Sequence, residues 1–80
     1  MAFAMYSDVV LTENLPGPDL RAGDIGTVVD RHTVAGLEDG YSVEFFDMTG
    51  RTVAVVTIGE SKLRCPTHAD RPAVRALSLG

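Results

Sequence analysis

The chain has 80 residues, 45% hydrophobic and 22% charged, with a formal net charge of −4 and a sequence pI of about 4.8. That length is one small domain with a thin stability margin, and the mix is that of a folded rather than a disordered chain. The seven basic residues are scattered from Arg21 to Arg75, without the clustered positive face by which a protein holds nucleic acid, and no apolar run approaches a membrane span.

The start, Met1 to Met5, is apolar but lacks a basic lead and is too short for a signal peptide. It is read as an extension over residues 1–5, and Met5 is as good a start as Met1. Asp8 to Thr12 carries Val9, Val10 and Leu11, residues that suit a first strand. Pro16, Gly17 and Pro18 then exclude helix and central strand, so Glu13 to Leu20 is a loop, with Leu15 and Leu20 as its anchors in the core.

Ala22-Gly23-Asp24 is a turn feeding strand two, Ile25 to Arg31 or His32. Gly23 and Asp24 set the turn, with the Asp24 carboxylate accepting backbone N–H groups inside it. Gly26 marks a bend or a close crossing of another backbone, as strands in small barrels require, and Val28 points into the core. Thr33 to Gly40 is a flexible hairpin loop. Strand three, Tyr41 to Phe46, alternates, with Tyr41, Val43 and Phe45 as its core face. Asp47-Met48-Thr49-Gly50 is a four-residue hairpin connection. Strand four, Arg51 to Ile58, is almost continuously apolar, which predicts burial on both faces, the second against the tail, the N-terminus or another molecule.

Gly59 to Lys62 reads as one turn of 3₁₀ helix, and Leu63 to Cys65 as a short fifth strand stopped by Pro66. From Thr67 to Gly80 the composition changes. Asp70-Arg71-Pro72 can start a helix capped by Asp70 or Thr67, with Val74, Leu77 and Leu79 as a weak apolar stripe. The tail leaves two alternatives open, docked or disordered. The whole predicts an all-β fold, a small five-stranded barrel over residues 6–66 with a C-terminal tail or short helix over 67–80.

Gly23-Asp24-Ile25-Gly26-Thr27-Val28-Val29, Tyr41-Ser42-Val43-Glu44-Phe45-Phe46-Asp47, Gly50-Arg51-Thr52-Val53-Ala54 and Leu63-Arg64 together resemble a family of short bacterial proteins known as a domain of unknown function. The resemblance spans about residues 6 to 66 and implies an SH3-like barrel, with no activity to carry over. More distantly, the turn-glycine-strand segment is similar to KOW-type ribosomal and transcription-factor barrels and to the barrel of the nitrile hydratase β subunit. Those likenesses rest on how a strand bends and transfer fold alone.

No catalytic constellation stands out. Cys65 and His68, with His32, have metal-compatible spacing, but a zinc site needs four ligands or three plus water, and no paired motif is present. The expectation is no metal and no cofactor, with Cys65 a small buried hydrophobe or a chance thiol. Glu38, Asp39, Glu44 and Asp47 read as a hydrated charged face. There is no phosphate-binding loop. The lone cysteine fits a reducing cytoplasm.

The leading expectation is therefore a cytoplasmic, non-catalytic module working by protein–protein contact: an adaptor, an immunity- or antitoxin-like partner, or a homo-oligomer. Its candidate surface is Phe46, Val53, Val55 and Phe3. A KOW-like nucleic-acid barrel and an accessory subunit of a nitrile-hydratase-like metalloenzyme are the alternatives. Nucleic acid and membrane are not expected partners.

Overall fold

The computed structural model describes residues 2–76. Five strands form one antiparallel sheet: β1 Asp8–Leu11, β2 Ile25–His32, β3 Gly40–Phe46, β4 Thr52–Gly59 and β5 Leu63–Arg64. Their order across the sheet is β4-β3-β2-β1-β5, and a 3₁₀ turn, Glu60–Lys62, carries the chain from β4 to β5. The all-β reading with five strands holds. The barrel does not close, because the sheet ends at β4 on one side and at β5 on the other. β5 is two residues long, pairs only with β1 through Val10↔Arg64 and Leu11↔Leu63, and is followed by Pro66, which has no N–H to extend a ladder.

One face of the sheet builds the core. Val9 and Leu11 from β1, Val28 from β2, Tyr41, Val43 and Phe45 from β3, Ile58 from β4 and Leu63 from β5 are all buried. This is the period-two pattern expected of strands with one side against the interior. Leu20 joins them and Leu15 packs beside it. The two leucines exchange backbone hydrogen bonds of 2.8 and 3.0 Å, which closes the Pro16-Gly17-Pro18 loop and pins it over the core as expected.

Gly26 lies opposite Phe45 where β2 crosses β3. A Cβ there would stand 2.5 Å from Val43 Cγ1 and 3.0 Å from the Glu44 carbonyl oxygen. The glycine is required by close approach. The bend lies further on, at a register shift between Val28 and Asp30. Gly23 has φ of +96°, the left-handed conformation that suits glycine. Its N–H donates to the Leu11 carbonyl, and Leu11 N–H donates to the Asp24 carbonyl, so the turn is stitched to β1.

Two expectations are corrected, and one open alternative is decided. Phe3 is only 8% exposed and sits in the core, where it meets Tyr41 edge-to-face at 5.2 Å between ring centroids. The Tyr41 hydroxyl accepts the Phe3 N–H and donates to Glu60, so the N-terminal extension folds back over the core. β4 is not buried on both faces: Val56 and Ile58 turn inward, while Val53 and Val55 stay exposed. The segment 67–76 contains no helix. The Asp70 carboxylate instead accepts the Thr67 N–H and holds Arg64, and Arg71, as the residue before Pro72, is disfavoured in the α region. Val74 is 79% exposed and forms no apolar stripe, and Leu77 and Leu79 lie outside the described residues.

The described tail is docked. Arg75 reaches back to the Asp24 carboxylate at 2.6 Å and to the Asp19 carbonyl at 2.9 Å. Arg64 holds Asp70 through two bonds of 2.8 and 2.9 Å, and together they fix the path from β5 to the turn at Asp24.

Candidate interaction surface

The outer face of the sheet begins at the β3–β4 hairpin. Asp47 caps that hairpin: its carboxylate accepts the Thr49 hydroxyl at 2.7 Å and the N–H groups of Thr49 and Arg51. The Thr49 hydroxyl, then the two backbone donors, hold the Asp47 carboxyl below the usual carboxylate range. Gly50 ends the turn at positive φ and donates to the Asp47 carbonyl. The register slips between Phe45 and Phe46, where Phe46 faces Thr52, so Val53 is bulged.

Several large apolar side chains are exposed on and around this hairpin. Phe46 is 44% and Val55 57% exposed, with Val53, Met48 and Ile25 also exposed. Ile25, Phe46, Met48, Val53, Val74 and Arg75 line a shallow groove of about 270 Å³ between the sheet and the docked tail. Three of the four residues expected on the surface, Phe46, Val53 and Val55, therefore lie on the same two-strand ribbon, and Phe3 does not. Ile25 and Met48 were not legible as members, since their place depends on the register of β2 against β3 and on the hairpin tip.

The polar candidates are dispersed into structural tasks. Asp24 accepts the Arg21 N–H within its turn, as expected, and also anchors Arg75. Glu44 accepts the Thr52 hydroxyl, Glu38 accepts the Ser61 N–H and hydroxyl, and Asp39 pairs with Arg31 at 2.6 Å. His32 Nε2 lies 2.8 Å from the Ser42 hydroxyl. Cys65 is exposed rather than buried, just after β5. Among the described residues no three histidine, cysteine or acidic side chains gather as a metal site. The Asp70 carboxyl is held far below the carboxylate range, first by Arg64 and then by the Thr67 N–H. No helix among the described residues is long and apolar enough to cross a membrane.

Residues 5–65, most of the chain, match the family described as Domain of unknown function (DUF4926), and the chain belongs to that family. No curated protein and no solved structure matches it.

Proposed function

We propose that this family member is a non-catalytic module that acts in the cytoplasm by protein–protein contact, through the outer face of β3 and β4 at Phe46, Val53 and Val55. The observation that carries the reading is the set of exposed apolar side chains on that ribbon, of which Phe46 and Val53 line one groove together with Ile25 and Met48. Scattered apolar residues are ordinary on a protein surface, whereas a contiguous patch marks a place where another apolar surface sits. The polar side chains around it supply no competing chemistry: Asp47, Glu44 and Asp24 are each spent on a hairpin, a cross-strand bond and the tail anchor. The partners this suits are those of an adaptor or of an immunity- or antitoxin-like protein, which acts by covering a surface.

A photo-crosslinking side chain at Met48, the most exposed apolar position on the hairpin tip, tests it in cells that make the protein. The expected result is a protein adduct of defined mass that disappears when Phe46→Asp is added while the melting temperature holds. A chain that forms no protein adduct, or one whose adduct is indifferent to Phe46→Asp, is not using this face.

A further inference from the structure

We propose that the groove beside Phe46 is a seat for an extended peptide segment carrying an arginine, and that residues 71–76 of the chain's own tail occupy it as a strap that such a segment must displace. The proposal rests on the contact reading of this face, and it names the chemistry of the partner and what controls its entry.

The strap comes over the outer face of the sheet from the β5 side. Val10 pairs with Ile25 and with Arg64, and Thr27 pairs with Glu44. Paired residues share a face and strand residues alternate, so Val10, Arg64, Ile25 and Phe46 all lie on the outer side. Val10 is nevertheless only 3% exposed, and it stands outside the core cluster. Arg64 beside it holds Asp70, which carries the chain after β5 over this side. Pro72, Ala73 and Val74 then line the groove together with Ile25, Phe46 and Val53.

Charge marks what the seat reads. Apart from the strap, the groove is lined by apolar residues, a glycine and two acids, Asp24 and Asp47, with no base among the described residues. Arg75 supplies the cation. Its Nη2 donates to the Asp24 carboxylate at 2.6 Å and to the Asp19 carbonyl at 2.9 Å, and its Nε donates to the other Asp24 oxygen at 3.3 Å. A carboxylate gripped through both oxygens, with a carbonyl alongside, matches the planar fork of arginine rather than the point charge of lysine.

The strap is held lightly. Within residues 71–76, Arg75 alone bonds the sheet and its loops among the described residues, and no backbone hydrogen bond joins strap to sheet. Val74 stays exposed. Arg75 Nη1 is buried without a hydrogen bond among the described residues and stands 3.9 Å from the Asp19 carboxylate. A buried donor left unpaired offsets part of what the latch gains. An arginine on a segment that is not tethered at Asp70 is free of that constraint.

Titration of the full chain with an N-acetylated, C-amidated peptide of residues 70–76 tests this, followed by the amide NMR signals of Gly23, Ile25 and Phe46, with a melting curve for each protein. Arg75→Ala unlatches the strap with melting nearly unchanged. This variant is expected to bind the peptide with a dissociation constant of about 1 mM or tighter, since a short tether supplies a local concentration in the millimolar range. The wild type, whose strap competes, is expected to bind at least about fivefold more weakly. The same peptide carrying Arg75→Ala is expected to leave the signals of the variant in place. No saturation of the variant by about 10 mM peptide overturns the proposal, as does equal binding by the two proteins or of the two peptides. These outcomes concern the seat alone, so the Met48 adduct decides the broader contact reading separately.

Discussion

The two edges of the sheet are built differently. β5, at one end, is two residues long and is closed off by Pro66 and by Arg64, whose side chain is tied to Asp70. β4, at the other, is eight residues long and apolar, and it shows Val53 and Val55 to solvent. Shortness, proline and charge are the devices that stop a sheet from growing, and the chain spends all three at one end. The difference teaches that the open edge is not simply a consequence of small size. Within the same 80 residues, one edge is protected and the other is left available, next to an apolar face.

Core truncation breaks the comparison most deeply. Phe45 is buried and lies opposite Ala54 of β4 and Gly26 of β2. Phe45→Ala removes the packing beneath both strands and is expected to cost about 3–5 kcal/mol, a large share of the stability of so small a domain. Urea unfolding measures it, and a loss under about 1 kcal/mol would show that β4 is held by other contacts.

Gly26→Val comes next, at about 1–3 kcal/mol, since its side chain must enter space held by Val43 and by the Glu44 backbone. The melting temperature falls before any binding at Phe46 is affected. Unchanged melting would mean that β2 and β3 can separate at no cost.

The smallest effect sharpens the β5 side. The folded Asp70 and Asp47 carboxyls are both depressed, Asp70 chiefly by Arg64 and Asp47 chiefly by the Thr49 hydroxyl. A depressed carboxyl contributes stability that is complete above its unfolded pKa, about 3.9, and is lost as pH falls toward the folded value. Melting temperature should therefore hold at neutral pH and fall progressively in acid below that point. Asp70→Asn should flatten part of that fall, and since the pair is exposed and screened, the change at neutral pH is expected to be slight. A variant whose acid profile matches the wild type would remove Asp70 from the tail anchor.

The strands were legible because each carries its own period. Tyr41, Val43 and Phe45 alternate cleanly, and the observed β3 buries that set. Pro16 and Pro18 announce the loop between β1 and β2, and Gly26 announces a close approach, since the absence of a side chain is itself a local signal. The β4 sequence predicts burial on both faces because Val53 to Val56 has no polar residue to mark an outward side. A strand open on one face and one covered on both have the same composition when the exposed residues are valines. Phe3 was misplaced for a related reason: an aromatic near a terminus has no fixed side, and only the turn of the chain over Tyr41 gives it one.

The tail shows the limit most sharply. Thr67, Asp70 and Pro72 carry the marks of a helix start, yet Asp70 turns to Arg64 and Arg75 reaches Asp24, 51 positions earlier. Capping signals describe what a segment can do by itself, and a charged partner from elsewhere in the chain competes for the same carboxylate.

What the chain determined by itself is its class: one small acidic domain, all-β, with five strands, a proline-bounded loop and a glycine that β2 cannot replace. Those properties follow from local sterics and from the period of apolar residues. Tertiary structure alone decided that the sheet stays open, that β4 and β5 form its two ends, and that Phe3 lies in the core rather than beside Phe46, Val53 and Val55. Each of these depends on which segment finds which neighbour, and such pairings join residues that are distant in sequence.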